Sequence, residues 1–196
     1  GWPIVALGAV ALTGGFFYAG WPIGYKYFAL GDLMVFLLMG PIMVMGTFFT
    51  LTGSLDHALL LRALLISLPI ACLVTAILHA NNIRDIGTDL RAGCRTVANI
   101  LGHRLAKWEY YALVCGAFAI VAVLVLASVI KPWTLIVFAS LPPAIKNLLA
   151  LKRSRPETIQ TIATLDVRTA QHHLIFGVLY AIGLALSAVL SDKSHQ

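Results

Sequence analysis

Charge is what this chain lacks. Only 11% of its 196 residues are Asp, Glu, Lys or Arg, against about 25% in soluble domains, and that scarcity excludes an ordinary water-facing globular fold. Acidic residues are the rarer kind, eight against fourteen Lys and Arg. Cysteine is scarce too. Cys72, Cys94 and Cys115 are odd in number and form no C-x-x-C pair, so neither a disulfide framework nor a cysteine zinc site follows. Strand-type alternation, internal repeats, low-complexity tracts and long polar linkers are missing as well, which excludes a β-rich fold, a solenoid and a string of domains. The net charge of +6 does not signal nucleic acid, because the basic residues lie between apolar segments and build no soluble basic face. No nucleic-acid partner is expected.

What is present is hydrophobic sequence in helix-sized lengths. The chain is 60% hydrophobic with a mean hydropathy of +0.90, and apolar segments run approximately from Trp2 to Ala19, Leu33 to Thr52, Ala58 to Leu78, Trp108 to Ile130, Trp133 to Leu151 and His172 to Leu190. Each is near the roughly 20 residues that span a bilayer as a helix, and backbone amides in lipid must pair within their own segment. The expected fold is all-α, a multi-pass transmembrane helical bundle of about six helices forming a single domain over residues 1–196. Alternating the six segments puts Lys26, Arg84, Arg91, Arg95, Arg104, Lys107, Lys152, Arg153, Arg155 and Arg168 on one side of the bilayer. Only Arg62, Lys131 and Lys193 fall on the other. That asymmetry predicts an integral membrane protein whose loop at 79–107 faces the cytoplasm or its organelle equivalent. The chain starts at Gly1 directly in apolar sequence, without the basic region or cleavage site of a signal peptide, and reads as a fragment.

The scarce charge is concentrated. Between Asn81 and Arg95 the sequence NNIRDIGTDLRAGCR holds Asn81, Asn82, Asp85 and Asp89 together with Arg84, Arg91 and Arg95. On a helix, Asn81, Asp85 and Asp89 are spaced i, i+4, i+8, so their oxygens line one face at roughly 6 Å per step. Two acids four apart are often only a solvated helix face. Ionisable residues at the mouth of a membrane bundle, however, are costly and mark substrate or ion paths. One or two carboxylates plus an amide suit Mg²⁺ shared with a diphosphate, and the arginines suit the remaining phosphate oxygens.

NNIRDIGTDLRAGCRT resembles the second aspartate-rich motif of the UbiA superfamily of intramembrane aromatic prenyltransferases. Its Asn81-Asn82 pair, Arg84-Asp85, Asp89, Ala92-Gly93 and Arg95-Thr96 are most similar to the MenA branch, the 1,4-dihydroxy-2-naphthoate polyprenyltransferases. The connection YAGWPIGYKYFALGD, with Tyr18, Pro22, Tyr25, Lys26, Gly31 and Asp32, resembles a second pattern of that branch. Pro22 stands where the wider family has a tyrosine four residues before the lysine. The end of the loop, LDVRTAQHH, resembles the last helix of the same branch faintly, with Arg168, Gln171 and His172 at its polar start.

The resemblance implies a nine-helix fold of which these six are the fourth to ninth, with the first aspartate motif in sequence preceding Gly1 and the fragment alone inactive. It implies a Mg²⁺ cofactor bound by Asp85, Asp89 and Asn81, with Asn82 completing or orienting that catalytic set, and diphosphate or substrate contacts from Lys26, Tyr25, Arg84, Arg91 and Arg95. The implied partners are a polyprenyl diphosphate, an aromatic acceptor such as 1,4-dihydroxy-2-naphthoate, and the lipid bilayer. The implied activity is prenyl transfer with loss of CO₂ in menaquinone or phylloquinone biosynthesis. A transfer to another acceptor such as 4-hydroxybenzoate, a cation or small-metabolite transporter whose acids bind an ion, and a silent membrane scaffold are the other readings. Transporters place ion sites near the midplane on broken helices, whereas this acidic row is crowded by arginines. Elsewhere, Gly40, Gly46 and Gly53 read as helix contacts, Pro41 and Pro69 as bends, Gly102 as a helix stop, and Lys146 as a residue that faces the bundle interior or snorkels.

Overall fold

The computed structural model describes residues 2–20 and 24–192, and Pro22 lies outside them. Eight α-helices follow one another: α1 (Trp2–Ala19), α2 (Gly31–Leu37), α3 (Met43–Thr52), α4 (His57–Arg84), α5 (Ile86–Arg91), α6 (Val97–Leu126), α7 (Leu141–Arg153) and α8 (Leu165–Asp192). Among the described residues no strand forms; a single bridge pairs Phe28 with Arg95. Five spans are long and apolar enough to cross a membrane: Gly31–Thr52, His57–Arg84, Val97–Leu126, Pro132–Arg153 and Leu165–Leu190. Trp2–Tyr18 is a sixth, shorter apolar helix. The multi-pass helical bundle expected from the apolar segments is therefore the observed fold.

The centre of the bundle is α4, which packs chiefly on α6 and α8 and also receives α2 and the turn after it. Its buried face repeats at helical spacing through Leu73, Ala76, Ala80 and Ile83, and α6 answers with Ala106, Tyr110, Val114, Ala117 and Val121. Lipid removes most of the hydrophobic drive between helices, so association rests on close packing. The alanines permit it. Phe176 and Tyr180 of α8 close the core from a third side.

Three local features follow from particular residues. Gly40 and Pro41 fall in a π-helical turn, Leu38–Ile42, that joins α2 to α3; a Cβ on Gly40 would collide with that of Ala71 on α4, which confirms Gly40 as a helix contact. Pro142 and Pro143 lie in the first turn of α7, where no intrahelical bond needs their missing N–H, and the preceding chain, Pro132–Ser140, is wound as a 3₁₀-helix. Gly102 leaves helical geometry at φ 74°, yet the helix resumes at once and α6 continues to Leu126. The expected stop is a break within one helix.

The helices also run further into the polar stretch than their apolar lengths predict. α4 ends at Arg84 and α6 begins at Val97, six residues beyond Leu78 and eleven before Trp108 by subtraction. The extension of α4 is possible because its polar side chains find partners within the protein. α6 starts earlier because Thr96 and Asn99 form a reciprocal capping box, each satisfying a backbone N–H of the other. Lys146 is exposed and its neighbour Asn147 is buried instead, so the interior-facing position is one residue along.

α8 lies close against the preceding 3₁₀ segment at Gly183, where an added Cβ would lie 2.6 Å from the Cα of Thr134 and 2.9 Å from the carbonyl oxygen of Trp133. Backbone cannot give way as a side chain does. Gly183→Ala is expected to cost about 1–3 kcal/mol and to lower the melting temperature in detergent. Gly177→Ala, on the same helix with nothing within 4 Å, is expected to hold or gain up to about 1 kcal/mol.

Candidate active site

The motif folds as the end of α4, a one-residue break at Asp85, and the short helix α5. Asp85 has φ −98° and ψ 10°, but the backbone ladder persists: the Asp85 N–H donates to the Asn81 carbonyl at 3.0 Å and that of Asp89 to the Asp85 carbonyl at 2.8 Å. The row of Asn81, Asp85 and Asp89 is thus continuous in hydrogen bonding and bent in direction. Its members part company as a result. Asn81, Asn82 and Asp89 line a small pocket of about 150 Å³ with Tyr18, Asp32 and Thr96, while Asp85 lines a larger one of about 630 Å³ with Arg84, Thr88, Arg91 and His103.

Arg84 organises the larger side. It grips the Asp85 carboxylate through Nε and Nη2, both at 2.8 Å, and reaches Asp166 of α8 through Nη1 at 2.7 Å. Its Nη2 also donates to the Asn81 Oδ1. Two-point carboxylate contact uses the planar guanidinium fully, so Arg84 is committed to holding acids in place. Arg91 and Arg95 are exposed. The backbone of Arg95 has a further role, since its carbonyl accepts from the Ala29 N–H at 2.7 Å and ties the Tyr25–Asp32 connection to the motif.

On the smaller side the structure supplies residues that the motif alone underweights. Asp32, buried at the start of α2, accepts from His79 Nδ1 at 2.7 Å on Oδ2 and from Asn82 Nδ2 at 2.9 Å on Oδ1. His79 is fully buried, and its Nε2 donates to the Ala106 carbonyl at 2.9 Å with Glu109 3.7 Å away. The acid beside Gly31 is visible in the sequence as part of the first connection, and His79 as a histidine one turn or so before Asp85. What is invisible there is their pairing across 47 residues. Asp32, His79 and Glu109 bring potential metal-ligating atoms within 4.8 Å of one another. Both His79 nitrogens are engaged by oxygens, Nδ1 by Asp32 and Nε2 by the Ala106 carbonyl, so the trio reads as a hydrogen-bonded buttress between helices.

Other candidates are dispersed. Tyr25 is buried with its hydroxyl unpartnered and its ring edge-on to Tyr18 at 6.0 Å; burial raises its phenol above the ordinary range. The side chain of Lys26 lies outside the described residues. Gln171 is exposed, and His172 is buried in the core against Phe118 with ring centroids 5.8 Å apart. Neither lines the two pockets.

A bundle of membrane-length helices with one polar end lined by amide and carboxylate oxygens and flanked by arginines defines the class: a multi-pass integral membrane protein. The sequence comparisons resolve which one. The model of the UbiA prenyltransferase family matches residues 1–165, and the chain belongs to that family. It is 33% identical over 186 residues to the 1,4-dihydroxy-2-naphthoate octaprenyltransferase of Bacillus subtilis (strain 168), covering 95% of this chain and 58% of that protein. It is 36% identical over 171 residues to the UbiA prenyltransferase domain-containing protein 1 homolog of Drosophila melanogaster, covering 87% and 44%, and 31% identical over 176 residues to the human UbiA prenyltransferase domain-containing protein 1, covering 90% and 48%. The chain spans about half the length of the curated relatives it matches.

Removing His79 would leave the Asp32 carboxylate buried with one partner. His79→Ala is expected to destabilise the protein by about 3–5 kcal/mol, as breaking a buried charge pair does, seen as a lower melting temperature in detergent. An unchanged melting temperature would show that the pair contributes no stability.

Proposed function

We propose that this chain forms part of a Mg²⁺-dependent enzyme that moves a polyprenyl group from its diphosphate to an aromatic acceptor, with 1,4-dihydroxy-2-naphthoate as acceptor and CO₂ as co-product, in menaquinone or phylloquinone biosynthesis. The observation that carries this reading is the convergence of Asn81, Asn82 and Asp89 on one pocket, with Asp85 lining a second, in a UbiA-family chain. The donors are hard oxygens, the kind Mg²⁺ takes. Asp89 and Asn82, which line the same small pocket, are proposed as the first ligands, while Arg84 holds the Asn81 oxygen and the Asp85 carboxylate.

The bound Mg²⁺ would neutralise charge gathering on the diphosphate as the allylic C–O bond breaks and the electron pair leaves with the phosphate oxygen. Arg91, exposed on the wall of the larger pocket, is proposed as a cation that meets the same anion, and Arg95 and Lys26 are further candidates. Arg84 acts differently. It fixes Asp85 and Asn81 so that the oxygens are set before the substrate arrives, which spares reorganisation during the reaction. The electron-rich aromatic carbon that bears the carboxylate attacks the allylic carbon, and loss of CO₂ restores aromaticity. The apolar walls, Ile83, Ile86 and Ile159, limit water that would quench the cation.

The test uses full-length protein in liposomes with Mg²⁺ and a labelled polyprenyl diphosphate, offering 1,4-dihydroxy-2-naphthoate, 4-hydroxybenzoate and homogentisate separately. Lipid-soluble product with the naphthoate alone, accompanied by CO₂, is the expected result. Product with another acceptor would keep the chemistry and discard the acceptor; no product with any would favour an ion or metabolite transporter. Asp89→Ala and Asp85→Ala are each expected to reduce turnover by about 100-fold or more, read in the same assay.

A further inference from the structure

Asn82 is chemically ambivalent. Its amide carries a donor on one arm and an acceptor on the other, and only the oxygen can bind a hard cation. Asp32 removes the ambiguity. A carboxylate accepts only, so the arm that meets Asp32 Oδ1 at 2.9 Å is the NH₂, and the amide oxygen is the arm left over on a residue that lines the same pocket as Asp89. Asp32 is itself held, because its second oxygen takes the His79 Nδ1–H at 2.7 Å and His79 is pinned through Nε2 to the Ala106 carbonyl. Three helices, α2, α4 and α6, are tied by this chain of contacts.

We propose that Asp32 is a positioning residue, anchored by His79, whose task is to present the Asn82 carbonyl oxygen to the metal-diphosphate pocket. The proposal rests on the metal reading given above and adds to it a residue outside the aspartate motif. Its chemistry makes a sharp forecast. In Asp32→Asn an amide replaces the group that only accepts, so either arm of residue 32 can face Asn82 and the Asn82 oxygen is no longer held toward the pocket. Exchanging the two residues, Asp32→Asn with Asn82→Asp, restores an acceptor-only group to the pair. The amide NH₂ at position 32 donates to the new carboxylate at position 82, and that carboxylate still shows an oxygen to the pocket.

The experiment measures Mn²⁺ binding by the electron paramagnetic resonance of free Mn²⁺, with full-length protein in detergent and an unreactive allylic thiodiphosphate as the probe, alongside the melting temperature. Wild type is expected to bind saturably, Asp32→Asn about 10 to 100 times more weakly, and the exchanged pair within a few-fold of wild type. Asn82→Ala, which leaves the Asp32–His79 contact in place, is expected to lose as much as Asp32→Asn. Wild-type affinity in Asp32→Asn or in Asn82→Ala would overturn the proposal, as would an exchanged pair that stays as weak as the single variant while folded. Absence of saturable Mn²⁺ binding in the wild type would instead overturn the metal reading itself, and this inference with it.

Discussion

The contact between His79 and Asp32 is the constraint on which the rest of this structure depends. Two ionisable groups lie inside helices long enough to cross a membrane, where each alone would be expensive, and each has the other as a partner 2.7 Å away. Their pairing fixes the start of α2 against the last turns of α4, and the bond from His79 to Ala106 brings in α6. Everything the motif offers is built on that frame. The helical extension of α4 past its apolar run, the orientation of Asn82 and the shape of the small pocket all presuppose it.

Above the frame, the polar end divides its oxygens between two settings. Arg84 collects Asp85, Asp166 and the Asn81 oxygen on one side, while Asp32 governs Asn82 on the other. Neighbouring asparagines in sequence thereby receive opposite treatment: one is used through its oxygen, the other through its nitrogen. The bend at Asp85 makes this possible, since a straight helix would have pointed Asn81, Asp85 and Asp89 the same way.

How much of this was legible in the sequence depends on the range of the interaction. The helical bundle was, because apolar runs of membrane length have few other outcomes. The polar end of the bundle was, because two asparagines, two aspartates and three arginines sit between Asn81 and Arg95 in a chain otherwise poor in charge. The helix ends at Arg84 and Val97 were not, since they depend on buried partners and on a capping box that apolar length does not count. Asp32 and His79 each stand out for local reasons, yet 47 residues separate them, and pattern spacing within one helix carries no information about a partner on another. The same limit explains Asn147, buried where Lys146 drew attention through its charge.

The close contact of Gly40 with Ala71 bears on how the bundle moves. At that point α2 and α3 are joined through a π-helical turn whose backbone lies against α4 with only the Ala71 methyl between them, so the two cannot slide past each other as helices cushioned by leucines do. The arm and the central helix are clasped at mid-length as well as at the polar end. Any widening of the bundle must therefore come from seams elsewhere, and one such seam is the cleft between α1 and α3 lined by Ile4, Leu7, Met43 and Thr47.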